Sequence, residues 1–338
     1  MQHQVKSCLV DLNHRMKNKF LVLCLLVSAA LLGCGGGGGG ASSGGGSQQN
    51  NGATTTVDVF VSGANSSLSY PKLMAFFGAD LYVVDASSAT SPSTGTVVKF
   101  SSSGARQSSI GSFIDPVGIA FFTDGTTFVT GRKPIAGTGL LELNRSTGDI
   151  TERVVGINPY GIAVNTTNNA AIYVAAPSAG KVYIYNSAFS SIGTVGGVLV
   201  GNTPTALAFD SAQSKIYVTK NDGGSHGVDQ IDTTSVSSPA VAFATSALFD
   251  KPNGIAVRNS PHEIYVVNTG TTESQSSVLK ISSDGATVTT FLSASNAAHK
   301  LCSPIGAAIN GNDLYVVNGN CTSSPNNAYA RAILKIAL

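Results

Sequence analysis

The chain has 338 residues, of which 42% are hydrophobic and 11% charged, with no tryptophan and a formal net charge of +2. That length supports a substantial core, and the composition is that of a soluble, β-rich protein. No basic patch of the kind that holds nucleic acid appears along it, so nucleic acid is not an expected partner.

Residues 1–33 read as a targeting segment rather than as part of a fold. Lys17 and Lys19 precede an apolar run, residues 20–32, that is too short to span a bilayer in the usual way. The run ends in Leu31-Leu32-Gly33-Cys34, which resembles the lipobox of bacterial lipoproteins. The resemblance implies that Cys34 receives the lipid, palmitate included, and becomes the first residue of the mature chain. A glycine rather than an aspartate after Cys34 resembles the outer-membrane sorting pattern, so the expected location is the bacterial cell envelope, on the periplasmic or the outer side. Met16 opens a complete signal of the same kind, and the natural start is expected there. Residues 34–56 carry six consecutive glycines followed by Ala, Ser, Gln and Asn, a composition that cannot build a core. As a flexible tether the 22 residues after Cys34 would have a root-mean-square reach of about 25 Å, or about 75 Å when taut.

The expected globular part, residues 57–338, is repetitive. Pro71, Pro116, Pro159, Pro204, Pro252 and Pro304 stand 45, 43, 45, 48 and 52 residues apart. Each is followed four positions on by alanine (Ala75, Ala120, Ala163, Ala208, Ala256, Ala308), and in four copies by glycine two positions on (Gly118, Gly161, Gly254, Gly306). After a polar turn comes a second apolar run, such as IYVVN at 264–268 or LYVVN at 314–318, and then a third, such as SVLKI at 277–281 or AILKI at 332–336. Short β-branched and aromatic runs bounded by Gly, Asn and Asp predict strands. A period of about 47 residues predicts the blades of an all-β, six-bladed β-propeller with four strands per blade. The chain stops after the third strand of the sixth unit, while VDVFV at 57–61 precedes the first with nothing to pair with. Placing residues 57–61 as the outermost strand of the last blade closes the ring and removes an exposed edge. The constant glycine and alanine are attributed to crowding of the innermost strands around the axis.

The Pro-x-Gly-Ile-Ala-Val and Ile-Tyr-Val-Val-Asn rhythm across residues 57–338 resembles the NHL-repeat and gluconolactonase-like six-bladed propellers. That resemblance implies the fold strongly and an activity weakly. A gluconolactonase-like enzyme would hold a divalent cation at the mouth of the axis with a glutamate, asparagines and an aspartate. Only Asn253 matches such a ligand here. Lys72 stands where the glutamate would be expected, and Asp85 and Asp222 would contribute only if their loops fold inward. No cofactor is therefore expected, and a divalent cation belongs to the hydrolase alternative alone.

Cys302 and Cys321 flank the first two strands of the sixth blade on one face, and an exported chain predicts a disulfide between them. The same face gathers the longest loops. Its rim presents the residue after each repeat proline (Lys72, Val117, Tyr160, Thr205, Asn253, Ile305), with Asp85, Arg132, Lys220, Asp222, Asn268 and Asn318 around them. Loops on a rigid scaffold are where binding is expected. His226 is expected near this face and His262 on the opposite one. No nucleophile elbow, HExxH, phosphate loop or paired CxxC occurs. The first reading is a lipid-anchored propeller that binds or scaffolds an envelope protein, glycan or small ligand. The alternative is a divergent metal-dependent hydrolase.

Overall fold

The computed structural model describes residues 55–132, 137–167, 171–195, 203–221, 225–322 and 326–338. Cys34, the residues read as signal and most of the tether lie outside the described residues, as does Asp222.

Residues 57–338 form six antiparallel four-stranded blades. Blade five shows the pattern in full: Pro252–Asn259 innermost, then His262–Asn268, Ser277–Ile281 and Val288–Ser293. These are the strands expected from the sequence: the third has the expected bounds, and the other three are extended or shifted by one or two residues. In blades four, five and six the repeat proline opens the innermost strand and in blade one it is the second residue, after Tyr70; in all four the register slips immediately after it. Proline cannot donate to the ladder, and at a strand start with a bulge it does not need to. In blades two and three Pro116 and Pro159 instead precede short strands, Ile119–Phe121 and Ile162–Val164.

The ring closes as the arithmetic of the repeat requires. Val57–Val61 pairs antiparallel with Ile333–Ala337, with Val57 opposite Ile336, Asp58 opposite Lys335 and Val61 opposite Ile333. Val57 and Val61 are buried, Val59 is exposed, and Val57 O accepts from Lys300 Nζ.

Both faces of each blade are covered. Six hydrophobic clusters make up the core of the described residues; five are shared by two consecutive blades, and the sixth, between blades four and five, also takes in Leu73 of blade one with Val117 and Tyr160 packed against it. Tyr173, Tyr217 and Tyr265, the aromatic residues of three second strands, are almost fully buried. This is why the strands read as continuous apolar runs.

The repeat glycines have a different cause from the one expected. A Cβ on Gly118 would stand 2.7 Å from Tyr160 O, one on Gly254 2.7 Å from Ile305 O, and one on Gly306 2.7 Å from Lys72 O. Each glycine therefore abuts the backbone of the next blade at the residue after its repeat proline. The axis itself is not restricted to small side chains, since a cavity of about 210 Å³ there is lined by Phe76, Phe121, Leu207 and Phe209 together with the alanines.

Two threonines bridge the same seams. Thr130 Oγ1 accepts from Gly118 N at 2.8 Å and donates to Tyr160 O of the next blade at 2.5 Å. Thr219 Oγ1 accepts from Ala206 N at 2.9 Å and donates to Asn253 O at 3.1 Å.

Candidate functional site

The residues expected on the loop-rich face divide into two groups. Those that end second strands are buried and hold their own blade together. Asp85 accepts from Ser69 N on both carboxylate oxygens and from Tyr70 N at 2.9 Å. Burial raises its pKa, and those backbone N–H groups pull it back only in part. Asn268 donates to Leu248 O at 2.8 Å and to Ser277 Oγ at 3.0 Å. Asn318 accepts from Cys302 N and donates to Lys300 O and Tyr329 O. Lys220 forms a buried ion pair with Asp229 at 2.9 Å. In blades one, five and six the residue that ends the second strand thus latches the segment entering the innermost strand. Arg132 ends its strand opposite Thr138, and its single pairing with Ile114 joins the sheets of blades one and two.

The residues that follow the repeat prolines surround the mouth of the axis. Val117 and Tyr160 pack against a cluster that includes Leu73, Ala206 and Ile255. Burial raises the pKa of the Tyr160 hydroxyl, and a hydrogen bond with the Asn253 side chain opposes that rise. Asn253 Oδ1 is buried with no partner. One free amide oxygen beside Tyr160 does not fit a divalent cation, which needs several converging oxygens. Asp85 cannot add to the set while its carboxylate holds the Ser69 and Tyr70 N–H groups. Among the described residues no group of three or more His, Cys, Asp or Glu could hold a metal ion.

Lys72 differs from its counterparts because it faces a recess of about 420 Å³ that reaches across blades one and two to Pro159. Burial lowers the pKa of its ammonium, and the Asp115 and Asp85 carboxylates offset the shift only in part. Among the described residues the Lys72 ammonium has neither a hydrogen bond nor an ion pair. Asp115, with φ of 47°, turns its carboxylate back onto the loop: Oδ2 accepts from Ser91 Oγ at 2.7 Å, and Oδ1 accepts from Ser93 N at 2.7 Å and Ser93 Oγ at 3.3 Å. On the far wall Asn158 Oδ1 accepts from Thr138 Oγ1 at 3.1 Å. Pro116, Val117, Pro159 and Ala89 supply apolar wall.

Sequence reasoning found Lys72 and missed Asp115, Ser91, Ser93, Thr138 and Asn158. A signal existed for two of them: Asp115 and Asn158 stand immediately before a repeat proline, and only the residue after it was read as rim.

Cys302 and Cys321 form a disulfide, with Cα atoms 5.9 Å apart and the two cysteines 19 positions apart in sequence. His262 lies on the opposite face, where Nε2 meets Asp210 Oδ2 of blade four at 2.6 Å. His226 borders a second recess, of about 610 Å³, with Lys220, Ser246 and Phe249. The lysine of that recess is already paired with Asp229, unlike Lys72, and the buried His226 Nδ1 has no hydrogen-bond partner.

No protein-family model and no curated protein matches the chain. Solved structures do resemble it. A gluconolactonase from Xanthomonas campestris matches with a TM-score of 0.60 and 12% identity, over 85% of this chain and 90% of that one. An auxiliary nutrient-binding protein from Bacteroides ovatus matches with a TM-score of 0.63 and 14% identity, over 84% of this chain and 76% of that one. A calcium-binding protein, regucalcin, from Agrobacterium tumefaciens matches with a TM-score of 0.59 and 10% identity, over 82% of this chain and 92% of that one. At such identities the likeness establishes the six-bladed fold alone.

Proposed function

We propose that this protein is a small-ligand-binding propeller of the bacterial cell envelope, tethered by a lipid on Cys34 and taking its ligand on the loop-rich face. The observation that carries the reading is the half-buried Lys72 ammonium, unpaired among the described residues, at the wall of a recess of small-ligand size. A buried cation without a partner is costly, and a site that keeps one has a use for it. Structural likeness to nutrient-binding propellers is compatible with a binding role. The donor set at the axis supports the same role, since a lysine opposes a cation there.

The test is ligand retention. Full-length protein is incubated with a small-molecule extract of the cell envelope and filtered, and the retained molecules are identified by mass spectrometry. Wild type is expected to keep one molecule per chain that Lys72→Met releases; a wild-type protein that keeps nothing would overturn the reading. For the anchor, radiolabelled palmitate should enter the wild-type chain and not Cys34→Ala, and the variant should leave the membrane fraction. Equal labelling of both would sink the lipid assignment.

A further inference from the structure

We infer that the recess at Lys72 takes a small organic monocarboxylate, its carboxylate on the lysine ammonium and the Asn158 amide and its apolar body against Pro116, Val117 and Pro159. This rests on the proposed binding role and names the ligand class.

The argument counts unused hydrogen-bonding capacity. Lys72 offers three N–H donors and no acceptor. Asn158 has its Oδ1 engaged by Thr138, which leaves the amide N–H₂ as its free end. The one acid of the wall, Asp115, has serine donors on both oxygens. Among the described residues the unused donors of the wall are therefore concentrated at these two side chains, one of them cationic, and the ligand group complementary to them is an anion that accepts from both.

Charge then limits the anion. Asp115 is the carboxylate that acts most strongly on the Lys72 ammonium, followed by Asp85. A single negative charge balances the lysine, whereas a dianion such as a phosphate monoester would carry a second charge into the field of Asp115. The rest of the wall is mixed, with Ser88, Ser91, Ser93, Thr138 and Gly131 beside Ala89, Pro116, Val117 and Pro159, and the two prolines and the valine supply the surface on which an apolar body would lie. A monoanion also relieves the cost of burying the ammonium, which is the physical reason for the site to hold one.

The experiment is isothermal titration calorimetry of the full-length protein with a series of monocarboxylates from acetate to benzoate, with benzamide and phenyl phosphate as the neutral and dianionic counterparts of benzoate. At least one monocarboxylate is expected to bind at one per chain, and benzoate more tightly than benzamide or phenyl phosphate. Lys72→Met should weaken that binding by about tenfold or more, Lys72→Arg should retain it, and Asn158→Asp should abolish it. Circular dichroism and Tm would show that each variant is folded. The inference is overturned if no monocarboxylate binds, if Lys72→Met binds as well as wild type, or if benzamide or phenyl phosphate matches benzoate. Should the envelope extract still yield a retained neutral or cationic molecule in that event, the binding role stands and the carboxylate assignment alone falls.

Discussion

Lys72 shows how a single position can carry opposite instructions for stability and for binding. Its pKa in the folded protein lies below the ordinary 10.5, chiefly because burial disfavours the charged form. At neutral pH folded and unfolded chains both hold the proton, and the folded state bears the cost of the buried ammonium. Between the lowered folded pKa and 10.5 only the unfolded chain still holds it, so unfolding takes up a proton and stability rises with pH. Lys72→Met is therefore expected to raise Tm near neutral pH, with the advantage shrinking as pH climbs toward 10.5, as read by thermal melts across that range. An advantage that is constant with pH would mean that the ammonium is not the source of the cost. Thr130 poses the opposite case. Its hydroxyl is fully buried and serves Gly118 N and Tyr160 O across a blade seam. Thr130→Val keeps the shape and leaves both groups unpaired, which should cost about 1–3 kcal/mol in denaturant unfolding. Neither role was legible in the sequence. A polar residue ending a strand reads the same whether it faces water, as the rim was expected to, or turns inward onto backbone, as Asp85, Asn268 and Asn318 do.

At the scale of elements, what the sequence made legible was whatever repeats. The six prolines, the alanine four positions on and the aromatic second strands recur, and each recurrence became a strand within a residue or two of its expected place. What recurs in only some copies was harder to read. Glycine is missing from the second position after Pro71 and Pro204, where Leu73 and Ala206 stand, so crowding around the axis seemed a sufficient cause for the other four. The true constraint is the carbonyl of the neighbouring blade, which no single repeat contains. The cysteines were legible because, once Cys8 and Cys24 are assigned to the expected leader and Cys34 to the expected lipid site, only Cys302 and Cys321 remain, and an exported chain is expected to pair them. Their bond closes the loops at the entry and exit of the first two strands of blade six, where Asn318 also holds Cys302 N and Lys300 O. Replacing both cysteines by serine is expected to cost about 3 kcal/mol by release of loop entropy in the unfolded chain. Guanidinium unfolding checks this, and a double variant as stable as wild type would show that the Asn318 latch alone holds the segment.

A propeller is a ring without a central layer, so its stability depends on every seam being made at once, and the last seam is made by the first strand. Five of the six core clusters lie wholly between neighbouring blades, and the one between blades six and one contains Val61, Leu68 and Met74 with Tyr315, Val317 and Ile333. Val57 belongs to the seam before it, between blades five and six. The five residues 57–61 thus contribute side chains to two of the six seams while supplying the outer strand of a blade. Burying Val57 and Val61 contributes about 3–6 kcal/mol by transfer alone, which is comparable to the whole stability of many domains. Removing the strand also exposes the Ile333–Ala337 edge, with its unpaired N–H and C=O groups, to other chains. Deletion of residues 57–61 is accordingly expected to lower Tm sharply and to make the protein associate in a concentration-dependent way, as seen by differential scanning calorimetry and sedimentation velocity. Asp58→Ala should do neither, since that exposed side chain contributes to neither seam. A deletion variant that melts like wild type and stays monomeric would show that blade six stands on three strands, and the closing strand would then be an ornament of the ring rather than its clasp.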